Sequence, residues 1–388
     1  PIYCGGCHQK YEFLSAFILP SNGDAKFVDP GLTHQNNLYT PIHREINLYY
    51  SLLSDAFLVL IDNKGGDFAD FIRNIKFRYG VANSQLEAFA SKDGDVYVSH
   101  LLFLGIKEFF LTIMARDDFI FKSANFPIER IRPIKITPNR TLSDLMGLYS
   151  TPETINLFSN FESIEADEVN LFIIGYFNFL AFSFLYFHEI SHLLSGHINI
   201  ADRLGINKLF INPQKIPEKL IFHALEMDAD IFATQMMQFT ARRQFNLFLD
   251  SFRQHSRLSD FVNEYKDTLS LFALLAEAYV AIVVPFFFSK AFPVSNFQGS
   301  HPPGLIRSLY CRNACLDSPL VTGNQVIMLH FQNIWNNWER ALVANNYFGE
   351  VNIFETEEMK SSAREYIDTL SEILNLLGIK RSIFPENL

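Results

Sequence analysis

The segment from 169 to 197 constrains this chain more than any other, because an apolar run leads directly into a histidine-rich end. Residues 171–187, LFIIGYFNFLAFSFLYF, are apolar on every side of a helix, and HEISHLLSGH follows at 188–197. A helix that is apolar all round must be buried by something. The sequence therefore predicts one long buried helix whose last turns carry three histidines and one glutamate.

Composition narrows the classes of function that the chain can serve. Of its 388 residues, 48% are apolar and 40 are phenylalanine, which is enough for a large core. The net charge of −10 argues against nucleic acid as a partner, because phosphate contacts require a basic surface. Four cysteines do not make a disulfide framework, and no signal peptide is recognisable. These features favour a cytoplasmic location.

Apolar periodicity and turn signals predict a mainly α fold with a small β component, an α+β class. The expected domains are an N-terminal α+β region of unknown role over 1–150, a core over 151–320, and a C-terminal helical region over 321–388 that packs on the core. Helices are predicted over the bulk of 96–114 and over 169–197, 217–239, 269–288 and 356–378. The fourth should break near Pro285, and the last should run from a Thr356 cap to Gly378.

Two apolar runs raise the question of a membrane. Residues 171–187 fall at the lower length limit for a span, and 269–288 have the right length but contain Glu277. Neither run has a decisive basic flank on one side. The favoured interpretation is core helices of a large helical protein, and the alternative is one or two spans with membrane association.

The H-E-x-x-H pattern at 188–192 predicts a zinc site on a helix. His188 and His192 are four residues apart and share one face, so both imidazoles can bind one metal. Glu189 lies about 100° round the helix and can reach a metal-bound water without occupying a ligand position. This arrangement predicts two ligands and a general base for hydrolysis. The alternative is a buried helix end whose histidines bond backbone carbonyls.

A catalytic zinc needs a third protein ligand, for which the sequence offers two candidates. The first candidate is His197. The metzincin pattern would require glycine at 195 and histidine at 198, so Gly196 and His197 are each one residue out of register, which argues against His197 as a ligand. The favoured candidate is Glu226, which shares a helix face with Asp230 in HALEMDAD. Asp230 can then accept a hydrogen bond from a ligand histidine and fix its tautomer. The alternative for this pair is a solvated acidic face.

Together these motifs resemble the gluzincin metallopeptidases of the HtpX and CAAX-prenyl-protease type. EMDAD fits the E-x-x-A-D pattern of those enzymes, and SHPPGLIR at 300–307 fits their H-P-P-x-x-x-R pattern. The resemblance implies that residues 151–320 form a zincin-like metallopeptidase core that contains the H-E-x-x-H helix and the glutamate helix. It implies His188, His192 and Glu226 as zinc ligands, Glu189 as general base, Asp230 as an outer partner, and His301 and Arg307 near the cleft. His301 could approach the metal or the oxyanion, with His223 as a second oxyanion candidate, and Arg307 could pair with an acidic residue. The alternative for the HPP segment is a rigid turn.

The chain departs from the membrane-bound members of that group. Residues 198–222 are polar and short, whereas those members have spans between the metal motifs. A looser resemblance links the chain to the Lit-type phage-exclusion peptidases. It implies, as an alternative role, an intracellular peptidase that stays inactive until a signal or a phage activates it.

The cysteines offer a second metal site. Cys4 and Cys7 form C-x-x-C, and Cys311 and Cys315 form C-x-x-x-C, so the four thiolates could bind a structural zinc. The alternatives are ordinary thiols and, for CGGCH at 4–8, a haem attachment site.

The sequence thus predicts a zinc-dependent endopeptidase that acts on a protein or peptide substrate. The alternative from another class is a non-catalytic scaffold in which zinc only joins two helices. Glu189 separates these two hypotheses, because a structural site has no need of a carboxylate beside the metal.

Overall fold

The computed structural model of the chain shows a mainly helical protein with small sheets, as the sequence predicts. The structure describes residues 2–3, 27–28, 46, 49–50, 52–53, 74–80, 88–91, 94–116, 134–137, 163–166, 168–198, 200, 210–211, 214–252, 256–288, 302–317, 321–344 and 357–379.

Eight helices have their full bounds within these residues. They are α1 His100–Arg116, α2 Glu168–Leu194, α3 Glu218–Phe252, α4 Ser256–Glu264, α5 Lys266–Phe288, α6 Gly304–Leu316, α7 Gln325–Ala344 and α8 Glu357–Leu376.

The strands are short and form three small sheets. They are β1 Ile2–Tyr3, β2 Phe27–Val28, β3 Lys76–Gly80, β4 Ala88–Ala90, β5 Asp95–Ser99, β6 Lys135–Thr137, β7 Ser163–Glu165, β8 Phe210–Ile211 and β9 Gln214–Lys215. The largest sheet has the order β2-β3-β5-β4, in which β3 and β5 are parallel. A second has the order β1-β7-β6, and β8 pairs with β9.

The predicted helices are confirmed, with differences at their ends. β5 takes the first residues of the segment at 96–114, and α1 begins only at His100. Helix α3 continues to Phe252, well beyond the predicted end at 239. The predicted break at Pro285 is wrong, because α5 runs through this proline to Phe288. A proline three residues before a helix end removes one hydrogen bond, and the burial of this helix outweighs that loss.

The chain divides into two compact units, each assembled from separate stretches. One contains Pro1–Ser183 and Met237–Val280, and the other contains Phe184–Met236 and Ala281–Leu388. The boundaries between the two units fall within helices α2, α3 and α5. The predicted segmentation at 150 and 320 follows the chain order instead, and it stays a prediction.

Aromatic rings pack together in the core of the first unit. Tyr49 packs against Phe103, Phe179 and Phe182 with ring centroids 5.5–6.0 Å apart. The Tyr49 hydroxyl donates a 3.0 Å hydrogen bond to the carbonyl of Gly175, so its polar end is satisfied within the core. This packing buries one face of α2 and positions the helix.

Two helices pass the test of length and composition for a membrane span. They are Phe172–Leu194 in α2 and Thr268–Phe286 in α5. In an apolar stretch of 18 residues within each helix, 100% and 83% of the residues are buried. Such burial is also typical of core helices, so membrane association stays open.

Candidate metal centre

Three side chains from α2 and α3 form a compact group that can hold a metal ion. His188 and His192 lie four residues apart on one face of α2, and their Nε2 atoms are 3.2 Å apart. Glu226 on α3 faces both rings: its Oε2 lies 3.3 Å from His188 Nε2, and its Oε1 lies 3.4 Å from His192 Nε2. Among the described residues, this is the group of potential ligands close enough to hold an ion.

The spacing of the two histidine nitrogens fits a tetrahedral ion. A tetrahedral site with metal–ligand bonds of about 2.0–2.1 Å, the range for zinc and imidazole, has ligand atoms about 3.3–3.4 Å apart. The 3.2 Å between the two Nε2 atoms is close to one edge of such a tetrahedron, whereas the two glutamate distances end on different oxygens. With one ligand atom from each residue, all three atoms lie within 4.8 Å of one another, so the group could hold a metal ion.

A buried carboxylate lies behind the first histidine. His188 Nδ1 is 2.8 Å from Asp230 Oδ1, within the distance of an ion pair. Asp230 has no exposed surface, and it lies one turn after Glu226 on α3. A carboxylate in this position fixes the ring so that Nδ1 carries the proton and Nε2 is open for a metal.

Helix α6 holds that carboxylate in place. Arg307 donates from Nε to Asp230 Oδ2 and from Nη2 to Asp230 Oδ1, both at 2.6 Å. Tyr310, one turn later, donates its hydroxyl to Asp230 Oδ2 at 2.5 Å. The sequence singled out Arg307 but not Tyr310, although a spacing of three on a helix places both on one face.

At both histidines, burial lowers the pKa and the nearby carboxylates raise it, but a different effect dominates at each. Burial lowers the pKa of His188, but Asp230 and Glu226 outweigh it and raise that pKa to about 10. Burial dominates at His192 and lowers its pKa to about 3, with Glu226 opposing and His188 adding to the shift. Without a metal, these shifts favour one positive charge on the pair at neutral pH, carried by His188, while the ring of His192 is neutral.

The pKa of Asp230 is lowered to about 2 although burial by itself raises it. Arg307 and His188 supply the positive charge that outweighs burial. The carboxylate therefore stays ionised at neutral pH, which lets it accept hydrogen bonds from His188, Arg307 and Tyr310 together.

His197 lies on the far side of His192 and not in the ligand group. Its Nδ1 is 3.0 Å from Nδ1 of His192, the ring nitrogen that faces away from Glu226. Its Nε2 is 3.2 Å from Asp228 Oδ2, and Ser195 donates to the same oxygen at 3.3 Å. Gly196, at a φ of +66°, follows the end of α2 and turns the chain toward this position. The sequence did not single out Asp228 or Ser195.

Glu189 follows His188 on α2 and is only 6% exposed. The role of general base that the H-E-x-x-H pattern predicts for it stays a prediction. His223, one turn before Glu226, is fully buried and contacts the hydroxyl of Tyr366 on α8. Tyr366 is a further neighbour of this helix that the sequence did not indicate.

The remaining predicted residues fall only partly within the described chain. Cys311 and Cys315 are buried on one face of α6, whereas Cys4 and Cys7 lie outside the described residues. His301 also lies outside them, and Pro302 and Pro303 after it are buried directly before α6. The four-thiolate site and the role of His301 stay predictions.

No protein-family model, curated protein or solved structure matches this chain.

Proposed function

We propose that this chain is a zinc-dependent endopeptidase of gluzincin type with a zincin-like core. The observation that carries the proposal is a group of three potential ligands, His188, His192 and Glu226, whose ligand atoms lie within 4.8 Å of one another. Glu189 directly follows His188 in the chain. Two histidines and one glutamate are the ligand set of several hydrolytic zinc sites. The carboxylate behind His188 adds the outer support that such sites use.

Each residue of the site has a distinct task in this mechanism. His188, His192 and Glu226 would hold the ion. When bound, zinc would polarise the substrate carbonyl and lower the pKa of its water from about 16 to about 7. Glu189 accepts the proton of the attacking water and returns it to the leaving amine. Asp230 keeps the His188 ring in the tautomer that offers Nε2.

The number of ligands and the presence of Glu189 also support a catalytic role for the metal over a purely structural one. A structural zinc prefers four closed protein ligands, whereas the group found among the described residues has three. A structural ion has no need of a carboxylate in the residue that follows a ligand, where this chain has the buried Glu189. A proton acceptor at that position is what hydrolysis requires.

The proposal is tested by metal analysis and cleavage together. The purified wild-type protein should contain one zinc per chain and should cut peptides from a denatured proteome digest. Glu189→Gln should retain the zinc and lose about 10² to 10⁴ in cleavage rate, since general-base assistance has that magnitude. Peptide products are identified by mass spectrometry before and after incubation.

A matched control is Glu372→Gln on α8, an exposed glutamate that should leave cleavage unchanged. Equal cleavage by wild type and Glu189→Gln would refute the assignment of the base. Zinc-loaded wild type that cleaves no peptide in any digest would refute the peptidase and favour the scaffold.

A further inference from the structure

The two candidate histidine ligands differ in how their outer ring nitrogens are supported. His188 meets a carboxylate directly, through Asp230. His192 meets a second histidine, His197, whose other nitrogen lies beside the carboxylate of Asp228. The second arrangement is a chain of two imidazoles and one carboxylate. The two residues beyond His192 in this chain, His197 and Asp228, are buried.

The direction of the hydrogen bonds in this chain follows from chemistry alone. Two Nδ1 atoms 3.0 Å apart can share only one proton, so one ring must donate and the other must accept. If His192 offers the lone pair of Nε2 to a metal, its neutral ring carries the proton on Nδ1 and donates it. His197 then accepts at Nδ1 and carries its own proton on Nε2, which lies 3.2 Å from Asp228 Oδ2.

The local fold explains why Asp228 can support one histidine while Asp230 supports the other. The two aspartates are two residues apart on α3, so they project about 200° apart around the helix. Asp230 faces α2 with Glu226, whereas Asp228 meets the segment that follows α2. Gly196 turns that segment, and Ser195 donates to the same oxygen of Asp228 at 3.3 Å.

We propose that His197 and Asp228 are positioning residues that fix the ring orientation and tautomer of His192 and thereby set the affinity of the metal centre. This inference rests on the proposed zinc site. It assigns a role to the third histidine of HEISHLLSGH that is neither ligand nor base. Loss of such outer partners typically weakens metal affinity by about 10- to 100-fold.

The test measures zinc affinity in the full chain by competition with a chromophoric chelator. His197→Leu should weaken zinc binding by about 10- to 100-fold, the usual effect of removing an outer partner. His197→Gln should bind zinc nearly as tightly as wild type, because its amide oxygen can accept from His192 and its amide nitrogen can donate to Asp228. His330→Leu, on α7, is the matched control and should leave the affinity unchanged.

A second measurement separates positioning from general stability. The visible absorption spectrum of the cobalt-substituted protein reports the geometry of the ligands, so it should change in His197→Leu and remain near wild type in His197→Gln. Asp228→Asn retains an acceptor but removes the charge, and it should give an intermediate affinity. If His197→Leu does not fold, His197→Asn replaces it: its amide is too short for both contacts and should weaken zinc binding.

The outcomes separate this inference from the proposed function. Wild-type affinity and spectrum in the folded Leu or Asn variant would overturn the positioning role and leave the zinc site intact. Loss of zinc in His197→Gln as well would also overturn it, because His197 would then be a direct ligand. Wild type that binds no zinc refutes the metal centre itself. Zinc binding with the expected dependence but no peptide cleavage refutes only the peptidase.

Discussion

Arg307 and Asp230 form a fully buried pair joined by two parallel hydrogen bonds of 2.6 Å. The guanidinium thereby fixes the carboxylate that lies behind His188. The two partners are 77 residues apart in sequence and come from α6 and α3. This contact connects the H-P-P-x-x-x-R segment to the metal centre without placing Arg307 among the ligands.

Removing Arg307 should destabilise the protein and weaken the metal centre. Arg307→Leu leaves the Asp230 carboxylate without its main compensating charge, and breaking a buried pair in this way costs about 3–5 kcal/mol. Arg307→Lys should recover part of this loss, since lysine restores the charge but not the two parallel bonds. Urea unfolding and zinc content measure the two effects.

The control for this prediction is Arg312→Leu on the same helix. Arg312 lies over the Trp335 ring at 4.8 Å, and its loss should cost only about 0.5–1 kcal/mol. Equal unfolding free energies for the two leucine variants would show that the Asp230 pair contributes little.

Glu226→Ala should abolish tight zinc binding. The glutamate supplies one of three ligand atoms, and two histidines alone hold an ion far more weakly. Zinc content after dialysis is the measurement, and Glu372→Ala on α8 is the control. Full retention of zinc in Glu226→Ala, with loss in His197→Gln, would make His197 the third ligand.

Zinc affinity should rise with pH from about 6 to 9. Asp230 and Glu226 outweigh burial and raise the pKa of His188 to about 10, so this ring is protonated in the metal-free protein across that range. The metal must displace the proton, and each added pH unit makes that displacement about tenfold easier. His192 contributes no proton, since burial lowers its pKa to about 3. Chelator competition at several pH values gives the slope, and a flat profile would contradict the assignment of the proton to His188.

Glu277 should make the stability of the protein depend on pH. Burial raises its pKa from 4.5 to about 8, although Arg242 opposes that shift with its Nε 3.3 Å from Glu277 Oε2. Tyr176 also faces this carboxylate. The folded state therefore binds the proton more tightly than the unfolded state does. The contribution of Glu277 is fully present below pH 4.5 and is lost as the pH rises to about 8.

The measurement is the unfolding free energy of wild type and Glu277→Gln between pH 5 and 9. Relative to the variant, wild type should lose up to about 1.4 kcal/mol per pH unit within that window. Glu264→Gln on α4, where the glutamate is exposed, should follow wild type. Parallel curves for wild type and Glu277→Gln would contradict the raised pKa.

The sequence by itself determined the parts of this protein that depend on short-range geometry. A spacing of four on one helix places His188 beside His192, and the same spacing places Glu226 and Asp230 on one face of another. The all-apolar run before His188 indicated a buried helix, and α2 is buried as expected. These features follow from the helical repeat and from the cost of exposing apolar surface, so no knowledge of the rest of the fold is needed.

Tertiary structure alone decided which distant groups meet and which nitrogen of each ring they contact. The local pattern offered Asp230 as a support for one of the ligand histidines, and only the fold decided that it is His188. Nothing in the pattern indicated that Asp228 meets His197, or that Tyr310 would join Arg307 on one carboxylate. The course of α5 through Pro285 was likewise set by packing and not by propensity. The physical reason is that hydrogen-bond partners far apart in sequence are chosen by the arrangement of the helices, which sums many packing contacts that no local spacing records.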